Sequence, residues 1–210
     1  MMRQLEFRRL GVRDYVVTAD EMRTWTQARR PDTPDEVWFL EHEPVYTQGV
    51  SCSEPVREGA SDIPLVKSDR GGQITYHGPG QLVAYLLLDL RRQGLGVRQL
   101  VSMIEASIIE LLDQFGLTAV ARPGAPGVYV DGEKIAALGL RVRSGCCYHG
   151  LSLNVDMELK PFSRINPCGF VGLDVTSMKE QGLSVQVDEA ADALERILDA
   201  RLSGKKTDLY

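Results

Sequence analysis

The stretch that most restricts how this chain can fold is Asp69 to Leu90, DRGGQITYHGPGQLVAYLLLDL, because two opposite kinds of backbone meet inside it. Arg70 to Gln81 holds four glycines, a proline, a histidine and an arginine in twelve positions. Glycine lets backbone approach a neighbour or a ligand closely, and Pro79 fixes φ between two glycines. Val83 to Leu88 is then an unbroken apolar run of the kind that suits a strand buried on both faces. A polar, glycine-rich loop feeding a core strand holds whatever it binds against rigid scaffold. A plain turn needs two special residues, and this loop has many more.

The flanking sequence supplies strands and helices in mixed order. Arg3 to Leu10 alternates as an opening strand, and Asp14 can cap a helix running to about Arg29. Residues 37–42 read as a short apolar strand, and 43–55 as a loop with at most a short strand between Pro44, Gly49 and Pro55. Leu100, Ile104, Ile108, Leu111 and Phe115 mark a core helix from Val97 to Phe115, stopped by Gly116. Residues 121–127, ARPGAPG, read as a turn-rich connection. Tyr129-Val130 and Ile135 to Val142 read as a hairpin about Asp131-Gly132. Residues 147–157 alternate as another strand, 160–170 read as loop, and Asp188 to Leu202 as a terminal amphipathic helix. The expectation is a single α/β (α+β) domain over residues 1–210, with a mixed, largely antiparallel sheet flanked by helices.

Composition bounds the function classes. At 210 residues, 43% hydrophobic and 25% charged, the chain has ordinary globular values and enough length for a substantial core. No apolar stretch approaches bilayer-spanning length, and MMRQLEFRRLG lacks the apolar segment of a signal peptide. Cys52, Cys146, Cys147 and Cys168 show no disulfide-scaffold spacing, so reduced thiols and a cytoplasmic location are expected. A net charge of −5 argues against a nucleic-acid partner.

Several residues could carry chemistry. Cys168, in Asn166-Pro167-Cys168-Gly169, is a candidate nucleophile on a constrained loop, although lone cysteines commonly serve as small buried hydrophobes. Lys134 directly precedes an apolar strand, a position equally suited to a solvated lysine past a hairpin tip. His77 and His149 are each followed by glycine, so a Cys-His nucleophilic pair is open. Zinc on Cys146, Cys147, Cys168, His77 and His149 is disfavoured, because adjacent cysteines lack the usual separation of structural ligands. No metal and no cofactor are expected.

Five blocks occur together and in order: Arg70-Gly71-Gly72-Gln73-x-Thr75-x-His77-Gly78-Pro79-Gly80-Gln81, Gly132-x-Lys134-Ile135-Ala136 with Leu138-Gly139, His149-Gly150-Leu151, Leu153-Asn154-Val155 and Ile165-Asn166-Pro167-Cys168-Gly169. In these the chain resembles the lipoyl(octanoyl) transferase family of lipoate biosynthesis, from about Trp38 to Ser177. The resemblance implies the fold of the biotin and lipoate ligases. It also implies that Cys168 is the acyl-thioester nucleophile and that Lys134 assists its ionisation and the later proton movements. The acyl pocket would be lined by Arg70, Gly71, Gly72, Gln73, Ile74, Thr75, Tyr76 and His77, by Ala137, Leu138 and Gly139, and by Gly150, Leu151 and Ser152.

The implied donor is octanoyl-acyl carrier protein. The implied acceptors are lysines of the lipoyl domains of 2-oxoacid dehydrogenase complexes and of the glycine cleavage H protein. Neither nucleic acid nor membrane is implied as a partner. A thiol with a pKa near 8.5 is only about 3% thiolate at pH 7, so such a cysteine needs help from a neighbour. Lys134 and Cys168 are therefore expected to meet beside the glycine-rich loop. The competing class is an ATP-dependent lipoate or biotin ligase, which would need a basic adenylate-binding loop and would not need Cys168. Here the loop has one arginine followed by Gly71-Gly72-Gln73 and no second basic residue.

Overall fold

The computed structural model describes residues 5–52, 62–165 and 174–203. Its main element is a seven-stranded mixed sheet, ordered β1-β2-β6-β10-β9-β8-β7. These strands are β1 (Leu5–Arg13), β2 (Asp35–His42), β6 (Gln81–Asp89), β7 (Val120–Arg122), β8 (Ala125–Val130), β9 (Glu133–Arg143) and β10 (Cys146–Asn154). Only β1 and β2 pair in parallel; every other pairing in this sheet is antiparallel. A second, three-stranded sheet orders β4-β3-β5, from β3 (Val45–Gln48), β4 (Leu65–Lys67) and β5 (Ile74–His77).

The apolar run in the middle of the sequence becomes β6, flanked by β2 and β10 and buried from Gln81 to Leu88. Its side chains alternate between two environments. Leu82, Ala84, Leu86 and Leu88 join the large core that includes Leu100, Ile104, Ile108 and Leu111 of α3 (Val97–Gln114) and Leu194 and Leu198 of α4 (Val187–Leu202). Val83, Tyr85 and Leu87 turn the other way and pack with Trp38, Leu40, Tyr148 and Met22. Met22 belongs to α1 (Tyr15–Gln27), whose N-cap Asp14 accepts the Val17 N–H at 2.9 Å. The short α2 (Leu90–Gln93) follows β6, capped by Asp89.

Several local expectations change, among them the glycine-rich stretch, in which Ile74–His77 pairs with β3 as β5. Residues 121–127 are not simply a connection: β7 and β8 form there, turning at Pro123-Gly124, because the backbone of the segment pairs onto β9 at the edge of the sheet. Residues 160–164, expected as loop, form a 3-10 helix with Pro161 in its first turn. The strand expected over 147–157 ends at Asn154. The hairpin about Asp131-Gly132 forms, with Val130 opposite Glu133. Among the described residues no helix is long and apolar enough to cross a membrane.

Candidate active site

The second sheet and the glycine-rich loop close over the half of the β6 face that α1 leaves bare, enclosing a cavity of about 210 Å3. On its floor, Gln81, Val83 and Tyr85 of β6 lie opposite Asn154, Ser152 and Gly150 of β10, and Ala137 and Gly139 of β9 continue the same rows. Arg70, Gly72, Gln73, Ile74, Thr75 and His77 form the loop and β5 side, and Leu138 and Leu151 add apolar wall. Of the residues picked out in the sequence, Gly71 and Tyr76 do not line the cavity. Gly71 is tied to β9 through its N–H to the Leu140 carbonyl at 2.9 Å, and the Tyr76 ring packs with Tyr46 and Phe162.

Lys134 reaches the cavity from the start of β9 and is only 3% exposed. Its Nζ donates to the Pro126 carbonyl at 3.1 Å and stands 5.2 Å from the centre of the Tyr129 ring. The backbone of β8 makes this position. At Gly127 φ is +140°, and a Cβ there would lie 2.9 Å from Lys134 Cε and 2.8 Å from the Ala136 carbonyl oxygen. Glu105 of α3 holds the same turn, accepting the Gly127 N–H at 3.0 Å. On its other side the Lys134 backbone is held by the 174–176 segment. Its N–H donates to the Asp174 carbonyl at 2.9 Å, and its carbonyl accepts from Thr176 at 3.0 Å. Exposed Gly124 and Pro126 border this end of the cavity, together with Phe162 and Val175. Cys168 lies outside the described residues, between Ile165 and Asp174.

Arg70, 7% exposed, is bonded into the wall. Its guanidinium donates to the Thr47 carbonyl at 2.6 Å, to Thr47 Oγ1 at 2.8 and 3.1 Å, and to the Gly71 carbonyl at 2.9 Å. Gly139 makes the room: a Cβ there would meet Arg70 Cδ at 3.1 Å and the Gly71 carbonyl oxygen at 3.0 Å.

Backbone carbonyls fix the protonation of the polar chain beside it. Asn154 Nδ2 donates to the Thr176 carbonyl, so its Oδ1 accepts from Gln81 Nε2. Gln81 Oε1 then accepts from His77 Nδ1–H at 2.7 Å, and His77 Nε2 accepts from the Thr47 hydroxyl at 3.3 Å. The same reasoning applies to His42, whose Nδ1–H donates to the Arg13 carbonyl at 2.9 Å while its Nε2 accepts the Tyr85 hydroxyl at 2.6 Å. Burial holds both imidazoles neutral, pushing His77 well below its ordinary range and His42 down to about 4.

The third histidine, His149, has a φ of +60°, and its ring stacks on that of Tyr148. Both side chains reach Asp69. Tyr148 donates its hydroxyl to one carboxylate oxygen, and His149 donates Nε2–H to the other at 2.9 Å. These bonds, His149 first, hold Asp69 ionised well below the usual carboxylate range, while burial lowers His149. The contact is therefore a neutral N–H donated to a carboxylate. His149 lines the cavity, and its buried Nδ1 has no partner among the described residues.

Cys147 stands apart from this chemistry. It lies in the α3/α4 core, its Sγ toward the Leu86 carbonyl, and burial raises its thiol to about 12. Among the described residues no three His, Cys, Asp or Glu side chains converge as a metal-binding group. The sequence reading passed over Tyr15, Val83, Tyr85, Phe162 and Val175, which also line the cavity. Period-two alternation from Gln81 could have found Val83 and Tyr85. Tyr15, Phe162 and Val175 arrive from distant elements and carry no local signal.

The mixed sheet flanked by helices is the fold of lipoate and biotin ligase catalytic domains. A lipoate-protein ligase A solved with ATP bound superposes with a TM-score of 0.78 at 16% identity, covering 96% of this chain and 86% of that one. The biotin protein ligase of Aquifex aeolicus gives 0.56 at 13% identity, covering 96% and 69%. More particularly, residues 15–199 match the lipoyl protein ligase A/B catalytic domain, and the chain belongs to that family. It is 55% identical to an octanoyltransferase of Pseudomonas putida over 90% of this chain and 88% of the relative. It is 57% identical to an octanoyltransferase of Aromatoleum aromaticum over 93% and 84%.

Proposed function

We propose that this protein transfers an octanoyl group from octanoyl-acyl carrier protein to a lysine of lipoyl-accepting domains, through a thioester on Cys168. The observation that carries the reading is a buried Lys134 amine at one end of a largely apolar cavity, in a chain more than half identical to octanoyltransferases. Chain connectivity supports the pairing of Lys134 with Cys168. Phe162 and Val175, on either side of Cys168 in sequence, both border the Lys134 end of the cavity. Cys168 is three residues from Ile165, at most about 11 Å of extended chain.

In the first step the Cys168 thiolate attacks the donor's thioester carbonyl, a new C–S bond forms, and the carrier protein's sulfur leaves. In the second the neutral amine of the acceptor lysine attacks the Cys168 thioester, an amide forms, and the Cys168 sulfur leaves. Lys134, as the neutral amine, takes the Cys168 thiol proton and so becomes the cation beside the thiolate, then passes that proton to the departing carrier-protein sulfur. In the second step it takes up the proton that the attacking amine gives up, again standing as a cation beside the Cys168 thiolate. The cavity residues, from the Arg70–His77 loop to the Gly150–Ser152 strand, seat the acyl chain by apolar contact. Each buried methylene contributes about 0.8 kcal/mol.

Lipoyl domains of 2-oxoacid dehydrogenase complexes and the glycine cleavage H protein are the proposed acceptors. Thioester exchange retains the donor's activation, so transfer proceeds without ATP or a metal ion. The test is mass spectrometry of the protein incubated with octanoyl-carrier protein alone. An octanoyl adduct on the peptide containing Cys168, discharged by an added lipoyl domain, is expected. A requirement for ATP and magnesium, with no adduct, would move the protein to the adenylating ligases.

A further inference from the structure

Building on the acyl-transfer reading, we infer that Tyr85, held in place by His42, is the wall that sets acyl-chain length. The floor of the cavity works as a ruler. From the Gln81–Asn154 pair to the Tyr85–Gly150 pair is four residues along each strand, about 14 Å at about 3.4 Å per residue. Ala136 opposes Leu153, so Lys134 lies just beyond Asn154 at the near end. An extended octanoyl group, built from C–C bonds of about 1.5 Å in a zigzag, spans about 9 Å. With its carbonyl beside Lys134 and Asn154 its last carbon falls between the Val83 and Tyr85 pairs, where the Tyr85 ring, bonded toward His42, closes the floor. Four more carbons add about 5 Å and bring the chain into that ring.

The wall is rigid for a reason visible in its bonds. The Arg13 carbonyl can only accept, so His42 Nε2 is left as an acceptor for the Tyr85 hydroxyl. His42 is wholly buried, and swinging Tyr85 aside would leave that nitrogen without a donor. The Tyr85 ring also meets His149 edge-on, with centroids 5.8 Å apart, and packs with Met22 of α1 behind it.

The test compares octanoyl- and dodecanoyl-carrier protein as donors, with a lipoyl domain as acceptor, reading acylated domain by mass spectrometry for wild type, Tyr85→Ala, Tyr85→Phe and Val83→Phe. The quantity is the ratio of kcat/KM for the two donors, which partial loss of folded protein does not move. Wild type is expected to favour octanoyl about ten-fold or more, and Tyr85→Ala to raise the dodecanoyl-to-octanoyl ratio by a similar factor. Tyr85→Phe keeps the ring but removes its bond to His42, so the ratio should move part of the way toward that of Tyr85→Ala. Val83→Phe moves the wall one pair closer and, with hexanoyl-carrier protein added as a third donor, should raise the hexanoyl-to-octanoyl ratio of kcat/KM. Unchanged ratios in both Tyr85→Ala and Val83→Phe, with octanoyl transfer intact, would overturn the length wall alone. Absence of octanoyl transfer in wild type would instead overturn the acyl-transfer reading beneath it.

Discussion

One face of β6 gives Leu82, Ala84, Leu86 and Leu88 to a dry core under α3 and α4, while the other gives Gln81, Val83 and Tyr85 to the cavity wall. The two faces belong to one strand and share its backbone, yet they are finished differently. On the first, long helices bury every side chain. On the second, α1 covers Leu87 and the neighbourhood of Trp38, and the remaining floor is roofed by backbone-rich loop and a three-stranded sheet. Loop roofing leaves room for a ligand, because glycine cannot fill space as leucine does. It also brings polar backbone that must be satisfied, which is why Arg70, Thr47, His77, Gln81 and Asn154 are joined in one hydrogen-bonded chain. One face is therefore filled by packed side chains, and the other keeps a cavity bordered by hydrogen-bonded polar groups.

The sharpest way to break this division is to change chemistry without stability. Cys168→Ala should lower transfer by at least about a thousand-fold, with the urea unfolding midpoint unchanged. Cys52→Ala, Cys146→Ala and Cys147→Ala, made singly, should keep substantial activity. Lys134→Ala should cost about a hundred- to ten-thousand-fold in kcat/KM. Lys134→Arg, which keeps charge but cannot release a proton, should be nearly as impaired if Lys134 moves a proton, and partly active if only its field matters.

The converse experiment is Leu86→Ala on the packed face. It should remove about 2–5 kcal/mol of stability by urea titration, while kcat/KM per folded molecule stays within a factor of two or so of wild type. A large change in specific activity would mean that the faces are coupled.

Acid should attack the cavity side. The folded pKa of His42 is depressed to about 4 from an ordinary 6.5, so below pH 6.5 the unfolded chain binds the extra proton first. Stability contributed by the neutral ring is present above pH 6.5 and lost as pH falls toward 4. The loss from this residue should be about 2–3 kcal/mol between pH 7.5 and 4.5. His77 and His149, also lowered, act in the same direction. Comparing urea midpoints of wild type and His42→Phe at the two pH values checks this, the variant losing less; equal losses would remove His42 from the account.

The smallest expected effect is also the most local. Gly127→Ala puts a Cβ against Lys134 Cε at a φ of +140°, and should reduce stability by roughly 1–2 kcal/mol. Transfer should fall further than folded fraction, because the amine must move. Equal falls in the two would show that the geometry of Lys134 at Pro126 does not matter.

The alternation and apolar runs of the sequence determined β6, the α3 and α4 stripes, the Asp14 cap and the Asp131-Gly132 hairpin, because each follows from residues close together in the chain. The glycine-rich stretch was legible only in part: the glycines at its two ends mark loop, but Ile74–His77 between them pairs with β3 as β5. What only the tertiary structure decided is how distant pieces meet. Lys134, indistinguishable in sequence from a solvated hairpin lysine, is buried because β8, carrying Pro126 and Gly127, pairs back onto β9 and offers it a carbonyl. Tyr85 is a wall because His42, forty-three residues earlier, accepts its hydroxyl. The placement of Tyr15 and Phe162 at the cavity rests on contacts between elements far apart in the chain. Local pattern fixes which surfaces need burial; the mutual exclusion of packed helices and roofing loop on one sheet face decides where a cavity is left.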